Sequence, residues 1–223
     1  MFERVEMFLG KENLEQLKSK KVLVIGLGGV GGYVVESLVR TGIMNIGIVD
    51  FDKVELSNFN RQIIAIDSNL NKLKTDAFKE RILSINKSAN VTCYSLFLDN
   101  SNISDVINGY DYVIDACDSI KTKCDIITYC LDNSIPFITS CGTAKKKDPK
   151  KLEITELSKT KYDPLAKLLR KYVKDNNIKD KIMVLSSSED VSSFEGKDLP
   201  SLVFVPSIAG ILIADYVIKQ LLS

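Results

Sequence analysis

The chain has 223 residues, 45% of them hydrophobic and 26% charged, so it is long enough to bury its own core and shows no low-complexity tract. Its five cysteines (Cys93, Cys117, Cys124, Cys130 and Cys141) are odd in number and never spaced as CxxC. That excludes a disulfide framework or paired zinc knuckle and points to a reduced, cytoplasmic setting with no signal peptide. The net charge is +1, yet Lys145 to Lys181 holds 13 Lys/Arg against 6 Asp/Glu, a basic segment on an otherwise acidic chain.

The first twenty residues read as an amphipathic helical lead-in. Lys21 to Ile25 (KVLVI) is a short apolar run, the mark of a strand buried on both faces. It runs into GLGGVGG, followed by a helix from Tyr33 to Thr41 that Gly42 stops. A second strand, Ile46 to Val49, ends at Asp50. A loop rich in Ser and Asn precedes a helix from about Leu73 to Ser84. Next come a strand near Val91, a short helix, a strand at Tyr112 to Ile114, a helix from Thr122 to Asp132, and a strand at Pro136 to Thr139. This alternation predicts a Rossmann-like, mostly parallel α/β sheet with helices on both faces.

After Lys145 the pattern loosens into an extension of strands and helices. A strand is expected at Leu152 to Leu157, a helix at Pro164 to Lys174 and a strand at Ile182 to Leu185. A mobile loop over the site is expected at Ser186 to Gly196, and a final strand and helix at 202–222. Pro206, Asp215 and Lys219 interrupt that last apolar stretch, which reads as a buried helix rather than a membrane span. The organisation is a nucleotide-binding core at 1–141 with an extension at 142–223 packed on it as one continuous domain.

Gly26, Gly28 and Gly31 form G-x-G-x-x-G between a strand and a helix. Gly26 suits the tight turn, Gly28 lets a phosphate approach the backbone, and Gly31 allows close packing of helix on sheet. The helix N-terminus offers free amides to an anion. Asp50 stands where an acid takes ribose hydroxyls. These residues bind a nucleotide, but NAD and ATP fit them equally.

The stretch FDKVELSNFNRQ after Asp50 adds Asp52, Asn58, Asn60, Arg61 and Gln62, and Lys74 follows. A dinucleotide leaves Arg61 and Lys74 without work, whereas a triphosphate needs such cations. At the end of the fourth strand stands Asp115-Ala116-Cys117-Asp118-Ser119. Asp118 faces the crevice where it would hold Mg²⁺ against phosphates, and Asp115 is better suited to a helix cap or loop anchor. The chain has no histidine, so carboxylates, cations, backbone groups or the substrate must carry the chemistry.

GLGGVG, VDFDKVELSNFNRQ, Lys74 and DACDS together resemble the ubiquitin-activating-type adenylating superfamily that includes ThiF and MoeB. The resemblance implies that Gly29 belongs to the nucleotide loop and Asp50 binds ribose. It implies phosphate contacts from Asn58, Arg61 and Lys74, and makes Asp118 the Mg²⁺-linked catalytic aspartate. Arg4 matches an arginine that reaches the other subunit's site, which implies a homodimer.

Two segments, CGTAKKKDPKKLEITELSKTKYDPLAKLLRKYV and the late FVPSIAG, are similar to the tRNA threonylcarbamoyladenosine dehydratase family. That likeness implies ATP and Mg²⁺ as cofactors and tRNA as substrate, its threonylcarbamoyl carboxylate activated by adenylation and then cyclised. Sulfur-transfer proteins of the cysteine desulfurase type are further candidate partners. The alternatives are adenylation of a ubiquitin-like sulfur carrier, an NAD-dependent oxidoreductase, and a non-catalytic nucleotide-sensing scaffold. Missing CxxC pairs weigh against the first, and idle Arg61, Lys74 and Asp118 against the second.

The basic segment fits RNA on its own terms: Lys145, Lys146, Lys147, Lys150, Lys151, Lys167, Arg170, Lys171 and Lys174 are expected to follow a phosphate backbone. Tyr162 or Tyr172 would stack on a base or pack in the core. Cys141, at a strand end, is a core thiol unless its surroundings lower its pKa.

Overall fold

In the computed structural model, which describes residues 1–190 and 200–223, seven strands form one sheet in the spatial order Asn90–Tyr94, Asn45–Val49, Lys21–Ile25, Tyr112–Asp115, Phe137–Ser140, Met183–Ser187 and Leu152–Glu156. The central parallel strands are β1 (Lys21–Ile25), β2 (Asn45–Val49), β3 (Asn90–Tyr94), β4 (Tyr112–Asp115) and β5 (Phe137–Ser140). The extension adds β7 (Met183–Ser187) parallel to β5, and β6 (Leu152–Glu156) antiparallel at the edge. The segment after Cys141 therefore completes the same sheet.

Period-two alternation places the core on both faces. Val22 and Val24 of β1 meet α2 (Lys11–Ser19), α3 (Gly31–Thr41), α4 (Lys74–Ile85) and α8 (Phe204–Leu222). Leu23 and Ile25 meet α5 (Ile103–Ile107) and α6 (Ile120–Asp132) on the other side. A third cluster joins α6 to α7 (Pro164–Asp175) over β5 and β7. The strand order reverses between β1 and β4, and a crevice opens there at the carboxyl ends, the place where open α/β sheets take ligands.

The lead-in is two helices, α1 (Glu3–Leu9) and α2, because Gly10 at φ +84° breaks the run. The expected final strand does not form: Leu202 and Val203 are irregular and Phe204 already opens α8. Pro206 sits in that helix's first turn, where a missing N–H costs nothing. Ser186 and Ser187, expected in a loop, pair with Glu153 and Leu152 as part of the β6–β7 ladder. Ser188, Glu189 and Asp190 follow without regular structure, and residues 191–196 of that expected loop lie outside the described residues.

By length and composition, α8 is the one helix among the described residues that would cross a membrane. Here it is a core helix, with Val205, Ala209, Ile213 and Val217 fully buried. Gly210 lets it approach α3, since a Cβ there would lie 2.4 Å from the Val30 carbonyl oxygen. Pro206 in turn covers Gly29, whose own Cβ would meet it at 3.2 Å. The last helix thus backs the glycine loop. Gly210→Ala should lower stability by about 1–3 kcal/mol through overpacking against backbone, and loosen ATP binding with it. Urea unfolding and calorimetry with ATP check both.

Candidate active site

One cavity of about 750 Å³ occupies the crevice. Gly26, Gly28, Gly29, Asp50, Asp52, Asn58, Arg61, Lys74 and Asp118, the sequence's nucleotide and metal residues, all line it. Two expected residues do not. Gly31 lies beneath, where a Cβ would sit 1.8 Å from the Gly26 carbonyl oxygen, so its role is packing, as its place in the motif suggests. Arg4, on α1, is exposed and outside the cavity of its own chain.

The loop after β1 and the loop after β4 touch through backbone. Gly26 has φ +86°, and a Cβ there would lie 2.7 Å from Ala116 and from the Cys117 amide. The Asp50 carboxylate ties the glycine loop to β2: it accepts from the Leu27 amide at 2.7 Å and from the Asp52 amide at 2.9 Å. Lys74, buried at the start of α4, pairs with Asp52 at 2.8 Å and faces Asp50 at 3.6 Å. Its ammonium is held between buried Asp50 and half-exposed Asp52 at the cavity wall.

Asn58 shapes its own loop, its Oδ1 accepting from the Glu55 amide at 3.2 Å in a capping box. Arg61 donates to the Ser57 carbonyl at 2.8 Å and to Asn60 Oδ1 at 2.9 Å, which fixes the guanidinium at the cavity edge. Asn60 in turn donates to the Ser201 carbonyl at 2.9 Å, linking this loop to the extension. Asp118 is exposed, with no counter-charge within ion-pair distance among the described residues.

Gln62, one of the polar groups expected beside the site, is buried in the cavity wall with its Oε1 unpartnered, an acceptor that a ligand N–H or O–H would satisfy. Phe51, Phe97, Asp163 and Lys123 escape sequence reasoning. Phe51 and Phe97, ring centroids 5.3 Å apart and edge-on, form an apolar lip. Asp163 lines the far wall, where it caps α7 through the Leu165 and Ala166 amides. Beneath the site, Lys123 and Asp115 form an ion pair of 3.0 Å with both side chains fully buried. Asp115 also accepts from the Cys117 amide at 3.1 Å, which makes it the loop anchor, while Ser119 caps α6 through the Thr122 amide. Lys123 had a signal: it shares the apolar stripe of Ile126, Ile127 and Cys130 at helical spacing.

Burial, reinforced by the Asp163 carboxylate, pushes the Cys141 thiol well up; burial and then Asp115 do the same to Cys117. Neither is a poised thiolate. The basic segment divides. Lys147, Lys150, Lys151, Lys167, Lys171 and Lys174 are exposed, but Lys146 is buried, its Nζ donating to the Glu189 carbonyl at 2.6 Å and the Tyr162 carbonyl at 3.3 Å. It is a structural tie, corrected from the expected phosphate contact. Arg170 donates to Thr160, and the Tyr172 hydroxyl bonds Thr128 Oγ1 at 2.7 Å while its ring joins the third cluster. Tyr162 is exposed.

The ThiF family model matches residues 2–222. The tRNA threonylcarbamoyladenosine dehydratase of Bacillus subtilis (strain 168) is 38% identical, covering 100% of this chain and 94% of that protein. The structure of Escherichia coli tRNA N6-threonylcarbamoyladenosine dehydratase in complex with AMP superposes with a TM-score of 0.92 at 32% identity, covering 98% of this chain and 92% of that one. Its complex with ATP gives 0.91 at 32% identity, covering 99% and 93%.

Lys123→Met should destabilise the protein by about 3–5 kcal/mol by stranding the Asp115 charge. Burial alone would lower the Lys123 pKa, but the Asp115 charge and hydrogen bond outweigh it and the net shift is upward. A raised folded pKa stabilises fully below the unfolded value and is lost as pH climbs through the folded one. The pair's contribution is therefore complete below the ordinary lysine value and declines only as pH climbs from there through the raised folded one. Urea unfolding across alkaline pH should show the variant's deficit shrinking only there.

Proposed function

The chain belongs to the ThiF family, and from that premise we propose that it uses ATP to dehydrate N6-threonylcarbamoyladenosine in the tRNA anticodon loop, adenylating the substituent's carboxylate so that the same substituent closes on itself. The observation that carries the reading is the single cavity into which the glycine loop, Asp50, Arg61, Lys74 and Asp118 all open. Similarity along nearly the whole length of a named dehydratase supports the substrate.

In this reading Asp50 takes the ribose hydroxyls with lone pairs left after it anchors Leu27 and Asp52. The Phe51–Phe97 lip receives the base, while Gln62 stands beside Gly28 of the glycine loop. Arg61 and Lys74 offset the charge of the phosphates, aided by the amides of the glycine loop. Asp118 would hold Mg²⁺, a hard ion that binds through one or two carboxylates plus substrate phosphates and neutralises their charge. Its exposed carboxylate and place in the cavity wall fit that donor set.

An oxygen of the substrate carboxylate attacks the α-phosphorus, pyrophosphate leaves, and an acyl-adenylate forms. A carboxylate is already ionised at neutral pH, so the absence of histidine is no obstacle. A nitrogen of the same substituent then attacks the acyl carbon, its proton passes to solvent, and AMP departs with the carboxylate oxygen. The nucleoside has lost one water. Proximity within one substituent drives that closure without a protein nucleophile. We assign Arg4 to the site of a second copy in a homodimer, and place the reaction in the cytoplasm, where free cysteines stay reduced.

Mass spectrometry of nucleosides from threonylcarbamoylated tRNA, incubated with the protein, ATP and Mg²⁺, should show loss of one water with AMP alongside. Asp118→Ala and Arg61→Ala should each lower AMP formation by about 10²–10³-fold with unfolding unchanged, while Cys141→Ser keeps turnover. Full activity in both charge variants would refute the assignment, and an unchanged nucleoside with ATP-binding protein would refute the substrate.

A further inference from the structure

We propose that the exposed face of α7, with Tyr162 at its head, is the surface on which the RNA lies, delivering its modified nucleoside into the main cavity; the inference rests on the substrate reading above. The helix has two faces of different chemistry. Ala166 and Leu169 are fully buried, with Tyr172 and Val173 packed beside them. Lys167, Lys171 and Lys174 are exposed on the other side, and none forms an ion pair among the described residues. Positions four and seven apart put their stems roughly 6 and 10 Å along the axis, a ladder of cations that a phosphate backbone can follow.

The two ends of α7 give this ladder a direction. Its first residues, Pro164 and Leu165, line the main cavity. Its last turn borders a second cavity of about 490 Å³, where Arg170, Lys174, Lys179 and Lys181 face Glu156 and Asp180. Lys181 is drawn to Glu156 at 3.7 Å, as is Lys159 at 3.3 Å, so the unpaired stripe is Lys167, Lys171, Lys174 and the exposed Lys179. The basic track runs from the catalytic mouth to a cationic groove one helix length away.

Tyr162, next in the chain to the cavity-lining Asp163, is 57% exposed, with φ +54°. A tyrosine held in the left-handed region needs its surroundings to enforce it. They do: its carbonyl accepts from buried Lys146, which also binds the Glu189 carbonyl after β7, and the next residue, Asp163, is locked into the α7 cap. The result is an aromatic ring on a rigid corner beside the cavity, suited to stacking on an unpaired base. A second copy of the chain is a poor occupant, because the stripe would confront like charge across a two-fold axis.

The test uses the full chain and labelled, threonylcarbamoylated tRNA, with anisotropy read from about 50 to 200 mM salt. Combining Lys167→Glu, Lys171→Glu and Lys174→Glu should weaken tRNA binding at least about tenfold at the low-salt end. It should also flatten the slope of log K against log salt by about 2 to 3, leaving the affinity for ATP and Mg²⁺ and the Tm unchanged. Tyr162→Ala should lower dehydration about tenfold with the slope intact, and Tyr162→Phe should restore it. Wild-type affinity and slope in the triple variant would overturn the proposal. So would equal weakening by Lys21→Glu, Lys79→Glu and Lys87→Glu, which change the same charge at exposed sites elsewhere. A wild-type protein that binds ATP but no tRNA would instead overturn the substrate reading beneath it.

Discussion

Two loops that must touch through bare backbone set the rest of this structure. The turn after β1 and the turn after β4 meet where Gly26 faces Ala116 and Cys117, with no room for one more carbon. Asp115 is pulled onto the same spot from below, its one oxygen on the Cys117 amide and the other on Lys123. A buried pair of this kind contributes little net stability against an apolar substitute. It does give the loop carrying Asp118 one position relative to the glycine turn. Asp50 does the same for the opposite wall by spending its carboxylate on the Leu27 and Asp52 amides. Fixed dipoles and charges around one cavity are what charge-separating chemistry needs, since they are not reorganised during the reaction.

The strands and the residues that line the crevice were legible in the sequence because local rules govern them. KVLVI can only be a doubly buried strand next to a glycine turn, and Asp50, Arg61, Lys74 and Asp118 follow strand ends whose positions that pattern gives. Residues whose role depends on distant neighbours were not legible. The stretch from Leu202 was expected to open with a strand, but Gly210 lets α8 pack closely on α3 and the helix begins already at Phe204. Lys146 reads as one of a run of solvated lysines. Only the fold reveals that the carbonyls of Tyr162 and Glu189 converge on it. Net charge along the segment does not separate cations that tie backbone together from those that stand in solvent.

That distinction bears on how the extension works. Its basic part runs only from Lys145 to Lys181, and the cations there include three structural kinds. Lys146 and Arg170 tie backbone together, Lys159 and Lys181 neutralise Glu156, and the α7 stripe stands in solvent. The ties also connect the extension to the core: Asn60 reaches Ser201, Pro206 covers Gly29, and Asp163 shares the cavity with Asp118. A polyanion lying on α7 would therefore press on elements that already form the far wall of the nucleotide site.

The chemistry that remains possible is narrow, and the narrowness is informative. With no histidine and with the Cys117 and Cys141 thiols held protonated by burial, the cavity contains neither a neutral-pH general base of the usual kind nor a ready thiolate. What it does offer is cations, amides and carboxylates in fixed places. A reaction suited to that set must bring its own nucleophile, already ionised, and let phosphates carry away the leaving group. A substrate carboxylate attacking ATP meets the first demand, and a nitrogen tethered to the same acyl group meets the second step without a protein nucleophile. Transfer of the activated acyl group onto an enzyme cysteine would need a thiolate, which burial disfavours at Cys117 and Cys141. The site is consistent with ring closure inside one substituent, and for a physical reason rather than by default.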